Sequence, residues 1–498
     1  MNINDSVNEI KKQLSSKLSY TSNEVAIILA AGHGKRIKSK RSKMLHEIWG
    51  VTTVERVYDA CAKAIPDINS VVVVGIKAAD VMKVIGKRKD TAFAYQAEQK
   101  GTGHAVQIAL DEIKKSFKGV VYVLPGDMGL IDKETLIEFR NSFKTSKADM
   151  MVLTGIYEGD SAANSYGRIV RVKEIDILGK PSGKDFNNVI EIIEHKDILA
   201  IPADKTYKTN YKGRAYGFTR DELLEIREYN SGVYAFDSKK LFTLINQIDS
   251  KNAQGEIYIT DLIGLFNKYN YIVGASSPKE EYVVMGFNDK SVLKEMDNIF
   301  RSKVYESLRN IIEIDDPDDF FIDQSVAEDI IEMDKLGTPL DIRIGRGVHI
   351  GKGVKLSYNL HLKKNAFISG RVAFGKNIVI SENTHLSCYD NQKFTIGDNV
   401  LILEGDIIKG NVSIGSNCVI ESSVNMTGSD EFPLVIGNNV LIKGTSYLFG
   451  TVVEDDIHII HSVLINKRIN RMVKRDGSVQ KVRFYLPFPA GIDAVENL

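Results

Sequence analysis

The stretch Val25-Ala26-Ile27-Ile28-Leu29-Ala30-Ala31-Gly32-His33-Gly34-Lys35-Arg36 ends an apolar run in a Gly-x-Gly turn followed by cations. Such a turn aims backbone N–H groups at a phosphate, and small residues let the chain approach it closely. Leu29, Ala30, Ala31, Gly32 and Gly34 are therefore candidates for contact with a nucleotide triphosphate. Arg36 and Lys43 are the cations placed to balance charge on its β- and γ-phosphates. Taken alone, the turn is equally a tight strand–helix connection.

The elements that would carry this turn alternate. A buried strand over Val25 to Leu29 is followed by a helical stretch near Thr53 to Ile65 and a strand over Ser70 to Gly75, with further strands expected at Val120 to Leu124 and Asp149 to Gly155. This pattern predicts a mostly parallel α/β sheet. Leu293, Met296, Phe300, Val304 and Leu308 recur at spacings of three and four, an amphipathic helix that links this domain to the next. The acidic run Glu313 to Asp319 reads as a solvated turn around Pro317 rather than a metal site.

The last third obeys a different rule. Ile344, Ile350, Leu356, Leu362, Ile368, Phe374 and Ile380 recur every six residues; Ile396 to Ile420 form a second register and Ile436 with Ile442 a third. A six-residue face repeated three times per coil stacks aliphatic side chains inward and places Gly or Asn at corners of positive φ. The pattern predicts a left-handed parallel β-helix of about six coils. Each slip between registers is two hexapeptides plus a four-residue bulge. Arg475-Asp476-Gly477-Ser478 then signals a hairpin within a basic tail.

Composition excludes several partners. The chain has 498 residues, 43% apolar and 26% charged, with 65 basic and 65 acidic side chains. Without a global field, neither nucleic acid nor an anionic membrane surface is expected as a partner. Cys61, Cys388 and Cys418 lack metal-type spacing and fit a reducing compartment. Met1 to Glu24 holds no signal-like apolar core and no run is long enough to span a bilayer, so the expectation is a cytoplasmic protein.

Leu29-Ala-Ala-Gly-His-Gly-Lys-Arg36, Lys43-Met-Leu-His46 and Gly50 together resemble the signature of sugar-1-phosphate nucleotidyltransferases. Gln96-Ala-Glu-Gln99-Lys-Gly101-Thr102-Gly103-His104 is similar to the uridine-recognition segment of bacterial N-acetylglucosamine-1-phosphate uridyltransferases. Leu124-Pro-Gly-Asp127, Tyr166-Gly167-Arg168-Ile169, Ile193-Glu194-His195-Lys196-Asp197, Asn230-Ser231-Gly232, Asn252 to Asp261 and Gly286-Phe287-Asn288 continue the likeness in order over about residues 25 to 310. The resemblance implies a Rossmann-like α/β nucleotidyltransferase domain over 25–295, preceded by an extension over 1–24. After it come a helical linker over 296–340, the β-helix over 341–465 and the basic hairpin tail over 466–498.

Residue by residue, the resemblance implies that Asp127 and Asn288 hold Mg²⁺, a hard ion that takes few protein oxygens. It implies that Gln96, Gly101 and Thr102 read the uracil edge, and that Gly167, Glu194 and Asn230 bind the sugar, with Glu256, Tyr258 and Thr260 nearby. Asp127 could instead cap a helix, and Thr260 could as well be ordinary β-branched packing. His33, His46, His104 and His195 read as structural, because the reaction needs no base. The implied reaction joins UTP and a sugar 1-phosphate, N-acetylglucosamine 1-phosphate by resemblance, with in-line displacement of pyrophosphate at the α-phosphorus.

The family pattern is broken in places. Lys35 and Ser42 replace a Thr and a Pro, and the segments Val172 to Glu191 and Ile198 to Glu228, beside the sugar motifs, are longer. That opens the identity of the hexose. In the coils there is no Arg-Pro-Gly, Ser387-Cys388-Tyr389-Asp390 only partly resembles the family's Asn-Tyr-Asp-Gly, and Asn365 stands where a catalytic His would be, with His361 and His385 nearby. The expectation is a uridylyltransferase whose β-helix is a homotrimeric scaffold. A bifunctional enzyme that also acetylates glucosamine 1-phosphate and a non-catalytic UDP-sugar sensor are the alternatives.

Overall fold

The computed structural model describes residues 3–485 except 33, 35, 36, 162–163 and 251–254. It divides into two compact units, Met1–Asp297 and Asn298–Leu498. No helix among the described residues is long and apolar enough to cross a membrane.

Among the described residues of the first unit, nine strands form one mixed sheet: β1 (Glu24–Ala30), β2 (Asn69–Val74), β3 (Thr91–Tyr95), β4 (Val120–Pro125), β5 (Met150–Ile156), β6 (Arg168–Arg171), β7 (Val189–Ile193), β8 (Glu228–Asp237) and β9 (Val273–Ser276). Their order is β9-β5-β8-β4-β1-β2-β3, with β6 pairing β8 and β7. The strands β1 to β4 are mutually parallel, and β8 runs antiparallel to β4 and β5. Alternate side chains explain why β1 reads as one unbroken apolar run. Ala26, Ile28 and Ala30 enter the core on one face with Val72 and Val74, while Val25 and Ile27 enter the other with Val71 and Val73. Helices cover both faces, so a strand buried on both sides has no polar alternation to show.

The extension before β1 is part of this unit. A helix over Ile3–Leu14 buries Val7, and the chain after it runs along the edge strand β3: Ser16 N donates to Thr91 O at 2.7 Å and Phe93 N to Ser15 Oγ at 3.2 Å. It therefore occupies backbone groups that a bare edge would leave open.

The two longer segments fold onto each other. Between β7 and β8 lies a hairpin, Tyr207–Tyr211 with Arg214–Phe218, and Tyr211, Tyr216 and Phe218 share a small core with Val170, Val172, Ile190, Ile193 and Leu223. Arg171 clamps Glu228 through two bonds of 2.6 and 2.7 Å, tying β6 to the start of β8.

Among the described residues of the second unit, three parallel sheets of eight, eight and six strands form the hexapeptide β-helix. Ile344, Leu362, Ile380, Ile402, Ile420, Ile442 and Ile459 stack as one inward column in register. Leu356, expected in the first register, is only half-buried, because the third face has no strand in the first coil and Val354 fills the interior instead. Asn359, Asn377, Asn399, Asn417 and Asn439 stand at one corner with φ between 55° and 59°. Each donates from its amide to the next at 2.8 to 3.1 Å, and Asn439 ends the ladder on Asp456 at 3.0 Å.

The coil pairing extends beyond the bounds 341–465. Glu313–Ile314 and Phe320–Ile322 already pair with Arg343–Ile344 and Val348–Ile350, and Arg468–Ile469 pairs with Val452–Val453. The helical part of the expected linker is thus Lys290–Leu308 and Gln324–Asp334, with the first rungs between them. The tail turns at Arg475 to Ser478 as expected, where Lys474 N donates to Ser478 O at 2.8 Å.

Candidate active site

The candidate site lies where β1, β2 and β4 end, the edge at which parallel sheets bind ligands. Leu29 and Ala30 finish β1, and Ala31, Gly32 and Gly34 leave it. Gly34 has φ 58°, and a Cβ there would stand 2.8 Å from Cβ of Lys43, so only glycine lets the turn lie against the lysine stem. Gly75, at the end of β2, comes equally close: a Cβ would meet Ala31 O at 2.8 Å and Gln99 Nε2 at 2.9 Å. His33, Lys35 and Arg36 lie outside the described residues, and the cation role expected of Arg36 is therefore an inference from sequence alone.

Lys43 begins a buried 3₁₀ turn, Lys43–Leu45. Its ammonium donates to Asp127 Oδ2 and, at 3.0 Å, to Asn288 Oδ1. Asp127 is delivered by β4 through Gly126, whose N–H bonds Leu29 O at 2.9 Å. In Gly286-Phe287-Asn288 the sequence marks Asn288 alone, and its two neighbours turn out to matter. Phe287 is fully buried beneath the lysine, with Nζ 5.2 Å from its ring centroid, and a Cβ on Gly286 would stand 3.5 Å from Asp127 Oδ2. His46 meets the same ring edge-on at 6.1 Å, and burial, with Arg41 nearby, lowers its pKa. That is a structural environment for this histidine.

Gln96, Gly101 and Thr102 form a second group. Gln96 is buried, and its side-chain amide donates to Gly101 O at 3.2 Å and lies 3.2 Å from His104 Nδ1. Gly101 has φ 107°, and a Cβ would stand 2.4 Å from Ile257 O. Ile257 N donates to Lys100 O, and Gly103 N to Ile257 O, each at 2.8 Å; Ile259 N donates to Thr102 Oγ1 at 3.2 Å. These bonds join the segment to Glu256, Tyr258 and Thr260, of which the last two are buried. The Thr260 hydroxyl is buried and has no hydrogen-bond partner among the described residues.

A third group gathers Gly167, Glu194 and Asn230. Asn230 N donates to Gly167 O at 2.9 Å, and a Cβ on Gly167 would stand 3.1 Å from Glu194 Oε1. Tyr234, within the apolar strand β8, orients Asn230 by donating from its hydroxyl to Oδ1 at 2.9 Å; nothing in the sequence marks it. Burial, then Asp197, Asp261 and Glu256, push the Glu194 carboxyl up to about 7. His195 beside it has its pKa lowered by burial, then by Arg168, and its Nδ1 has no hydrogen-bond partner among the described residues.

In the β-helix, Asn365 belongs to a corner: its φ is 58° and its amide donates to Asn383 Oδ1 at 3.1 Å. His385 closes a stack of rings, Phe321, His349, Phe367 and His385, with centroids 4.4 to 4.7 Å apart, and its Nε2 lies 2.9 Å from Ser387 Oγ.

The model of the MobA-like NTP transferase domain matches residues 26–164. The bifunctional protein GlmU of Acetivibrio thermocellus is 33% identical over 363 residues, 72% of this chain and 68% of its own. That of Clostridium kluyveri is 32% identical over 380 residues, 76% of this chain and 67% of its own; that of Lactobacillus johnsonii is 30% identical over 383 residues, 76% and 71%. A solved 4-diphosphocytidyl-2C-methyl-D-erythritol synthase from Anaerococcus prevotii matches 56% of this chain and 96% of its own at 14% identity and a TM-score of 0.35, too loose a likeness to bear on the site. With the transferase domain over the first five strands of the sheet and relatives matched through about two thirds of their length, the chain is a nucleotidyltransferase and belongs to the GlmU family.

Proposed function

We propose that the chain transfers a uridylyl group from UTP to N-acetylglucosamine 1-phosphate, forming UDP-N-acetylglucosamine and pyrophosphate. The observation that carries the reading is the meeting of Lys43, Asp127 and Asn288 at the end of β1 and β4. A phosphate oxygen of the sugar attacks the α-phosphorus of UTP while the bond to the β-phosphate breaks, and both partners are anions. Catalysis is then positioning and charge compensation. Gln96, Gly101 and Thr102 hold the uracil; Gly167, Asn230 and Glu194 hold the sugar, with Glu256, Tyr258 and Thr260 closing the same side. Lys43 and Arg36 offset charge on the polyphosphate.

Mg²⁺ belongs to this reading. Two oxygens of Asp127 and Asn288 reach one cation, the Lys43 ammonium, and a carboxylate with a carbonyl is a donor set that suits a hard ion completed by phosphate oxygens. Asp127 and Asn288 would hold it, and when bound it would neutralise charge at the reacting phosphates. The sugar phosphate is already ionised at neutral pH, so no side chain must remove a proton.

The accessory hairpin and its core stand beside Gly167 and Glu194 and bear on the preferred sugar, for which another hexose 1-phosphate is the alternative. The relatives are named bifunctional, yet here Asn365 is spent on its corner ladder and His385 on its ring stack and Ser387, which favours a β-helix that acts as scaffold. We read the protein as a cytoplasmic homotrimer built on that scaffold. Pyrophosphate release measured over a panel of nucleoside triphosphates and sugar 1-phosphates tests the activity. UTP with N-acetylglucosamine 1-phosphate should lead the panel, and release that ignores the sugar would overturn the reading.

A further inference from the structure

Lys43 reaches one oxygen of each of the two residues proposed to hold the metal. Its side chain and that of Asp127 are only 11% and 15% exposed, so their pairing is sheltered from water and salt. The stem runs between the phosphate turn at Gly34, where a Cβ would strike it, and the buried ring of Phe287. The lysine stem thus lies against the turn proposed to hold the polyphosphate while its ammonium rests on the carboxylate. A divalent cation and an ammonium cannot both sit in contact with one carboxylate oxygen without strong repulsion.

We infer that Lys43 and the divalent cation compete for Asp127 and Asn288, so that metal loading expels the ammonium and releases it toward the triphosphate. This rests on the metal reading above. It makes Lys43 a positioning residue that holds the metal ligands together in one state and serves the polyphosphate in the other. The two roles are exclusive in time. Neutralising this lysine should therefore strengthen metal binding in the absence of nucleotide, which loss of a purely phosphate-binding lysine would not do.

The test is Mn²⁺ binding to the nucleotide-free full chain, followed by electron paramagnetic resonance. Wild type is compared with Lys43→Met, which keeps a stem over Phe287, with Lys43→Arg and with Asp127→Ala. Lys43→Met should bind Mn²⁺ about tenfold more tightly than wild type, a coupling of ordinary size between competing ligands. Lys43→Arg should bind as wild type does, and Asp127→Ala should lose binding. In EDTA, Lys43→Met should melt below wild type, because Asp127 is left without its counter-charge, and it should gain more than wild type on adding Mn²⁺. Unchanged or weaker Mn²⁺ affinity in Lys43→Met, with binding lost in Asp127→Ala, would overturn the competition and leave the metal assignment standing. Wild-type affinity in Asp127→Ala would remove the metal assignment itself.

Discussion

The backbone amide of Ile259 donates to the side-chain hydroxyl of Thr102 at 3.2 Å. With the two backbone bonds through Ile257, it joins the segment expected to read the base to the segment expected to touch the sugar. Thr102 sits at the start of the helix Thr102–Asp111, and its hydroxyl keeps one proton to donate elsewhere. Thr102→Ala should weaken the preference for UTP and also raise KM for the sugar phosphate, each by roughly fivefold for one lost hydrogen bond of about 1 kcal/mol. Thr102→Ser should keep both. A change confined to the nucleotide would show that the bond to Ile259 does not couple the two segments.

The charge cluster predicts a different signature. Lys43→Ala should lower kcat by roughly 10² with a smaller change in KM, since a preorganised charge contact is worth about 3 kcal/mol in the transition state. Asp127→Ala should be worse, and raised Mg²⁺ should restore it only in part. Steady-state kinetics over a metal titration check both. Near wild-type turnover in Asp127→Ala at ordinary Mg²⁺ would show that the carboxylate is not the metal ligand.

The β-helix is readable in the sequence because its six-residue period is written directly in inward aliphatic residues, and the inward column from Ile344 to Ile442 matches it rung for rung. The first rungs escape because Glu313–Ile314 and Phe320–Ile322 carry no such period and are separated by the acidic stretch. That stretch is a turn, as read, but Asp315 and Asp319 also pair with Arg343 and Arg346 of the next coil at 3.0 and 2.9 Å. The motif segments of the site are legible, while their mutual contacts are not. Lys43 meets residues 84 and 245 positions away, a relationship that local pattern cannot contain. The accessory core of Val172, Tyr216 and Phe218 is hidden for the same reason, being shared between two segments that are distant in sequence.

Acetyl transfer to glucosamine 1-phosphate should be absent. The candidate base position is Asn365, held at a left-handed corner by Asn383, and His385 is fixed by Phe367 and Ser387. Burial also lowers the pKa of His361 and of His385, and among the described residues neither has a carboxylate bonded to it to orient a proton transfer. A thiol assay for CoA release with acetyl-CoA and glucosamine 1-phosphate should read background. Release that disappears in His361→Ala or His385→Ala would show a second active centre.

Trimerisation should be visible in solution. Flat parallel sheets with half-exposed side chains such as Ile407, Tyr447 and Ile465 suit packing around a three-fold axis. Light scattering at micromolar concentration should give three times the chain mass of 55.5 kDa, and a stable monomer would count against it.

Stability should depend on pH through Asp406 in the β-helix. Its side chain is fully buried; burial pushes the carboxyl up to about 8, against the pull of the Val424 amide that donates to Oδ1 at 2.7 Å, with Glu404 adding to the rise. Its Oδ2 has no hydrogen-bond partner among the described residues. An unfolded aspartate titrates near about 4, so between roughly pH 4 and 8 the folded chain binds more protons than the unfolded one, and stability falls as pH rises through that window. Above it the loss is complete. Asp406→Asn keeps an acceptor for Val424 and places an uncharged amide where the proton had been needed. The melting temperature of wild type should therefore decline from pH 5 to pH 9, and the variant should lose part of that decline and stand above wild type at the alkaline end. Equal slopes for the two proteins would mean that the proton is not held at Asp406.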